Sequence, residues 1–129
     1  MAADQSSPKT VLVVEDSITQ AESVRAALEN KGLNVVCAMD GPSGLQKARE
    51  LHPDLVVMDI NMPGMDGFQV AQALKDDPAT ASIPIVILTS STTPESALTG
   101  LRAGAIDYIP KDVFAMRILV ETIKQMGLI

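Results

Sequence analysis

Short apolar runs alternate along this chain with longer stretches whose apolar residues recur at helical spacing, and the alternation is regular from Lys9 onward. The first run is Thr10 to Val14, where Val-Leu-Val-Val leaves no polar face, the mark of a strand covered on both sides. Similar runs follow at Leu33 to Ala38, Leu55 to Met58, Ile83 to Leu88 and Ala105 to Ile109. Between the first two runs, Ile18, Ala21, Val24 and Leu28 repeat at intervals of three, three and four, and Gly32 stops the pattern, which predicts a helix. Further helices are predicted over 43–51, 67–75, 94–103 and 113–126. In the last of these, Ile118-Leu119-Val120 is more apolar than one buried face needs, which reads first as burial and second as partner contact.

Five strands alternating with five helices imply an α/β fold with a doubly wound parallel sheet, because every parallel return needs a crossover and right-handed crossovers are strongly favoured. Proline lacks a ladder donor, so Pro84 belongs at a strand start and Pro110 places the fifth strand at a sheet edge. The 129 residues suit one domain, read as 9–129 after a loose tail over 1–8.

Charge and composition narrow the function. A net charge of −6 with no basic stripe, and only three aromatic residues (Phe68, Tyr108 and Phe114), disfavour direct DNA or other nucleic-acid binding. The single cysteine, Cys37, excludes an intramolecular disulfide and reads as a small core residue. The first ten residues lack a signal-peptide core, and no apolar run reaches the ~18 residues of a membrane span, so the cytoplasm is expected. His52 reads as a solvated loop residue, and Met62 and Met65 as gap-fillers or exposed groups near a docking surface.

In such a sheet, ligands bind beyond the carboxyl ends of the strands. Glu15-Asp16 follows the first strand, Asp59 the third, Thr89-Ser90 the fourth and Lys111 the fifth. Crowded carboxylates either retain a proton or bind a cation, and magnesium, which takes hard oxygen ligands alongside phosphate, suits this set. An aspartate beside the ion can attack a phosphoryl group, whose developing charge calls for the cation, a lysine and a hydroxyl, all of which are present.

The stretches Val13-Val14-Glu15-Asp16-Ser17, Met58-Asp59-Ile60-Asn61-Met62-Pro63-Gly64-Met65-Asp66-Gly67, Leu88-Thr89-Ser90 and Asp107-Tyr108-Ile109-Pro110-Lys111 together resemble a response-regulator receiver domain of two-component signalling. The resemblance spans roughly Lys9 to Gly127. It implies the flavodoxin-like strand order 2-1-3-4-5, which the chemotaxis regulator of this family shares. It implies Asp59 as phosphoacceptor, Asp16 as direct ligand of Mg2+ (or Mn2+), Glu15 as an acid acting through water, and Asn61 as a ligand through its backbone carbonyl. Thr89 and Lys111 would contact the phosphoryl group, and Tyr108 would act as the aromatic switch that alters the surface of helix four, strand five and helix five.

The implied partners are a sensor histidine kinase or phosphotransfer protein and a downstream protein target, with homodimerisation through helices four and five left open. The expected behaviour is that of a stand-alone receiver with magnesium-dependent self-phosphorylation and autodephosphorylation, and not of a conventional enzyme.

Pro63-Gly64 suits the centre of a type II turn that holds the loop after Asp59. Two positions depart from the family. Lys111 is followed by Asp112 and not proline, so a trans bond is expected there and Asp112 is available to cap the fifth helix. Ser90 is larger and more polar than the small residue often found beside the threonine. Other readings are a receiver-like scaffold that is not phosphorylated, an aspartate-nucleophile phosphatase and a flavodoxin-like carrier. The phosphatase would need a second aspartate where Asn61 stands, and the carrier a neutral loop where Glu15-Asp16-Ser17 stands.

Overall fold

In the computed structural model, which describes residues 8–90 and 93–129, strands and helices alternate strictly. They are β1 (Thr10–Val14), α1 (Ile18–Glu29), β2 (Asn34–Ala38), α2 (Gly41–Leu51), β3 (Leu55–Met58), α3 (Gly67–Asp76), β4 (Ile85–Thr89), α4 (Pro94–Arg102), β5 (Asp107–Pro110) and α5 (Ala115–Gln125). The sheet is parallel throughout in the order β2-β1-β3-β4-β5, as the family resemblance implied. Most of the expected tail lies outside the described residues, of which Pro8 and Lys9 are exposed.

Each strand sends alternate side chains to opposite faces, so the apolar runs build two cores. On one face Leu12, Val14, Val56, Met58, Ile85 and Ile87 pack with Leu45 of α2 and Val70 and Leu74 of α3. On the other, Val11, Val13, Leu55, Val57, Val86 and Leu88 pack with Val24 and Leu28 of α1 and Leu119 and Ile123 of α5. The central strands are therefore buried on both sides, which is why they read as unbroken apolar runs.

Element ends differ from the predicted ones where caps and prolines intervene. Leu33 is not in β2: its N–H donates to Leu28 O (3.2 Å) across Gly32 at φ +87°, so it closes α1 instead. Pro84 accepts from Val56 N–H (3.0 Å) but cannot donate, and β4 begins at Ile85. Pro110 ends β5 at the sheet edge, opposite Thr89. Helix α2 starts earlier than its apolar pattern, because the Asp40 carboxylate caps it by accepting from Ser43 N–H (2.8 Å) with Pro42 in the first turn.

Helix α5 starts later than predicted. Asp112 Oδ1 accepts from Phe114 N–H (2.8 Å), but Phe114 itself occupies the cap position, so Asp112 closes the turn before the helix and does not cap the helix. Val113 and Phe114 are consequently exposed. Within α5, Leu119 is fully buried while Ile118 is 40% exposed, so burial does not absorb the whole apolar triplet.

Polar groups tie helices to the sheet's rim. Lys47 Nζ donates to Cys37 O (2.8 Å), and Lys75 Nζ donates to both Ala81 O and Ile83 O (3.0 Å each). The buried Thr80 hydroxyl donates to Leu74 O (2.7 Å), satisfying a carbonyl in the last turn of α3 that no helical N–H reaches. Thr80→Val keeps the shape and removes that donor. Urea unfolding is expected to show a loss of about 1–3 kcal/mol, the cost of a buried unsatisfied acceptor.

Candidate functional site

The parallel ladder continues one residue beyond three strands, and those residues are acidic or basic. Glu15 N–H donates to Ala38 O (2.9 Å), Asp59 N–H to Val14 O (3.1 Å) and Lys111 N–H to Thr89 O (2.8 Å). Backbone bonds of this kind fix where each charged side chain leaves the main chain. The alternation of the fold then brings residues far apart in sequence to one edge of the sheet.

The side chains meet. Lys111 Nζ lies 2.5 Å from Glu15 Oε1 and 3.0 Å from Asp59 Oδ2, and it also donates to Gln20 Oε1. Glu15 and Asp59 are buried, and only 17% of the lysine side chain is exposed, so these are largely desolvated ion pairs. The second oxygen of each acid is also engaged: Glu15 Oε2 accepts from Ser17 N–H (3.2 Å) and Asp59 Oδ1 from Asn61 N–H (3.1 Å). Asn61 Nδ2 donates to the Oγ1 of the fully buried Thr89 (3.3 Å). Burial pushes the Glu15 carboxyl above its ordinary value, an effect that the Lys111 ammonium and the Ser17 N–H offset only in part.

Asp16 is exposed, at the mouth. Glu15, Asp16 and Asp59 each place one carboxylate oxygen within 4.8 Å of the others. Ligands on opposite sides of a magnesium ion are separated by ~4.2 Å, twice the metal–oxygen distance, so this all-oxygen donor set fits a small hard cation. One ammonium cannot neutralise three carboxylates, and a divalent charge would complete the balance.

The loop after Asp59 is shaped by two glycines. Gly64 has φ +79°, the left-handed value that the third position of the expected turn requires. At Gly67 a Cβ would stand 2.6 Å from Asp59 O and 2.7 Å from Ile60 Cα, so the loop folds back on β3 more tightly than any other residue allows. Gly67 N–H donates to Ile60 O (3.2 Å) across that approach. Met62 turns inward and fills space in the core, in keeping with the gap-filler reading and not with the alternative of exposure, and Met65 is half-buried against the same cluster.

All seven sequence-predicted residues are thus located. Glu15, Asp16, Asp59 and Lys111 converge, Thr89 and Asn61 adjoin them, and Tyr108 is half-buried on β5 against the core that includes Ile87. The Lys111 contact to Glu15 is new relative to the sequence, which offered Glu15 only as a metal-side acid. Gln20 has no counterpart in the sequence-based set. His52 is exposed at the end of α2 with φ +47°, and Cys37 is half-buried on edge strand β2, not in the deep core. No peptide bond among the described residues is cis, Lys111–Asp112 included.

Residues 11–124 match the family model of the response regulator receiver domain. Protein PilH of Pseudomonas aeruginosa is 41% identical over 103 residues, covering 80% of this chain and 85% of PilH. Response regulator PleD of Caulobacter vibrioides is 40% identical over 103 residues, again 80% of this chain, but the match spans only 23% of PleD. Among solved structures, chemotaxis protein CheY4 of Vibrio cholerae superposes with a TM-score of 0.85 at 33% identity, covering 92% of this chain and 98% of that one. A CheY-like receiver domain protein from Methanospirillum hungatei gives 0.85 at 29% identity, covering 93% and 94%.

Two variants test the site's construction without any ligand. Gly67→Ala forces backbone apart and is expected to cost about 1–3 kcal/mol in urea unfolding, as overpacking does. Asp16→Asn removes a repelling charge that holds no ion pair with Lys111, so it is expected to raise the melting temperature of metal-free protein in chelator; an unchanged or lower value would contradict the charge balance described.

Proposed function

This chain belongs to the response-regulator receiver family, and from that premise we propose that Asp59 is a phosphoryl acceptor whose loading controls contact with a partner protein. The observation that carries this reading is the buried Asp59 carboxylate held 3.0 Å from the Lys111 ammonium within a cluster of two further acids. In the transfer, a carboxylate oxygen of Asp59 attacks phosphorus and the bond to the leaving group breaks. An imidazole nitrogen of a donor phosphohistidine leaves and takes up a proton; from acetyl phosphate, acetate leaves.

Glu15, Asp16 and Asp59, with the backbone carbonyl of Asn61, would hold a magnesium (or manganese) ion, which supplies positive charge to the phosphoryl oxygens when bound. The chain's own groups do the rest. Lys111 keeps its ammonium on the oxygens of the transferred group, and the Thr89 hydroxyl, beside Asn61 at the end of β4, turns to donate to the same group. Tyr108, half-buried on edge strand β5, follows the space that Thr89 vacates and alters the surface formed by α4, β5 and α5.

The phosphoryl donor is a sensor histidine kinase or a phosphotransfer protein in the cytoplasm, and the output is contact of that surface with a downstream protein. The acidic balance of the chain, −6, speaks for a protein target and against DNA. None of the helices among the described residues is long and apolar enough to cross a membrane.

Intact-mass measurement after incubation with acetyl phosphate and magnesium is expected to show the gain of one phosphoryl group, lost in Asp59→Asn and lost again when the metal is chelated. Lys111→Ala and Thr89→Ala each remove a contact to a charged group worth roughly 1.5–3 kcal/mol, so uptake is expected to slow by roughly ten- to a hundredfold. Absence of any gain in the unaltered protein overturns the reading.

A further inference from the structure

Two helices of this protein begin with a capping residue followed three positions later by glutamine, and the two glutamines do different things. In α3 the pair is Asp66 and Gln69: Asp66 Oδ1 accepts from Gln69 N–H (2.9 Å) and Gln69 Oε1 accepts from Asp66 N–H (2.9 Å), a complete reciprocal cap. In α1 the pair is Ser17 and Gln20. The Ser17 hydroxyl accepts from Gln20 N–H (3.3 Å), but the Ser17 N–H is already taken by Glu15 Oε2 (3.2 Å). The Gln20 amide is thereby released from the capping role it would ordinarily fill, and its oxygen turns to the Lys111 ammonium.

Lysine presents three N–H donors on a flexible stem, and here three acceptors meet them: Glu15 Oε1, Asp59 Oδ2 and Gln20 Oε1. The two acids approach from the sheet and the neutral amide from α1, so Gln20 satisfies the third donor without cancelling charge. Gln20 and Lys111 also line an open cavity of about 250 Å³ with Val24, Leu88 and Met116, and Asp59 is not among its walls. Without the amide, the ammonium has room to swing into that space, and the residue after Lys111 is an aspartate in a trans peptide, with no proline ring to stiffen the turn.

We propose that Gln20 is a positioning residue for Lys111: its side-chain amide oxygen holds the ammonium over Asp59 and so sets the rate at which Asp59 takes up a phosphoryl group. The second half of this inference rests on the function proposed above; the first half does not.

The test is a double-substitution cycle of Gln20→Leu and Lys111→Ala in the full chain, read in two ways. In metal-free unfolding experiments, Gln20→Leu is expected to lower the melting temperature in the unaltered background and to have no effect in Lys111→Ala, because the partner is gone. Gln20→Glu, which keeps an oxygen at the same reach, is expected to retain the dependence on Lys111. In the acetyl phosphate assay at saturating magnesium, Gln20→Leu is expected to slow uptake by roughly two- to tenfold, less than loss of Lys111 itself because the ammonium stays and is only held less well, with the same magnesium affinity as the unaltered protein and no further slowing in Lys111→Ala.

Equal effects of Gln20→Leu in both backgrounds, or faster uptake in the variant, overturn the inference. Should the unaltered protein take up no phosphoryl group, the proposed function falls, while the unfolding cycle still decides whether Gln20 holds Lys111.

Discussion

One ammonium set among carboxylates is the interaction on which this molecule's chemistry depends. Lys111 is the last side chain of the sequence to reach the site, and it pairs with acids that the chain supplied 96 and 52 residues earlier. Each of those acids would be costly to bury alone, and together they repel. The lysine makes their gathering tolerable without making it comfortable, because Asp16 stands nearby uncompensated and Glu15 still holds its proton more readily than a glutamate in water. A site balanced in this way is suited to receiving positive charge from outside, which is what the proposed function asks of it.

What makes the gathering possible is backbone and not side chain. The ladder bonds from Glu15, Asp59 and Lys111 extend the sheet's regular spacing by one residue into the loop region, so Glu15 and Asp59 inherit the rigidity of strands buried on both faces and Lys111 is tied to the end of the equally buried β4. The close approach at Gly67 does the same for the loop that follows Asp59, folding it back over the strand it left. Rigid origins and hydrogen-bonded ends are the arrangement expected of a site that must hold its geometry.

Much of this was legible in the amino-acid order, for identifiable reasons. Strands β1 and β3 are bounded as their apolar runs are, because burial on both faces leaves no polar residue inside and places one immediately after. The edge position of β5 followed from Pro110, whose missing donor a central strand could not bear. Element starts were less legible wherever a cap outreached the apolar pattern, as Asp40 does for α2, or where apolar residues stood before the helix they were thought to join, as Val113 and Phe114 do. In the site, the convergence of Glu15, Asp16, Asp59 and Lys111 was a matter of strand ends, which topology dictates. The partner of Gln20 was not, because it depends on which of two local acceptors takes the Ser17 N–H, and residue order alone does not rank them.

Helix α4 differs from its neighbours in how it is attached. The other four helices press leucine, valine or isoleucine into the sheet, whereas Gly100 is the one buried residue of α4, with Ile87 Cδ1 only 2.7 Å from where its Cβ would be. Closeness here comes from lacking a side chain, so little apolar surface leaves water when the helix settles and little is lost when it lifts. Its amides should therefore exchange with deuterium ahead of those of every other helix, and whatever restrains α4 from the outside can reset its position at small energetic expense.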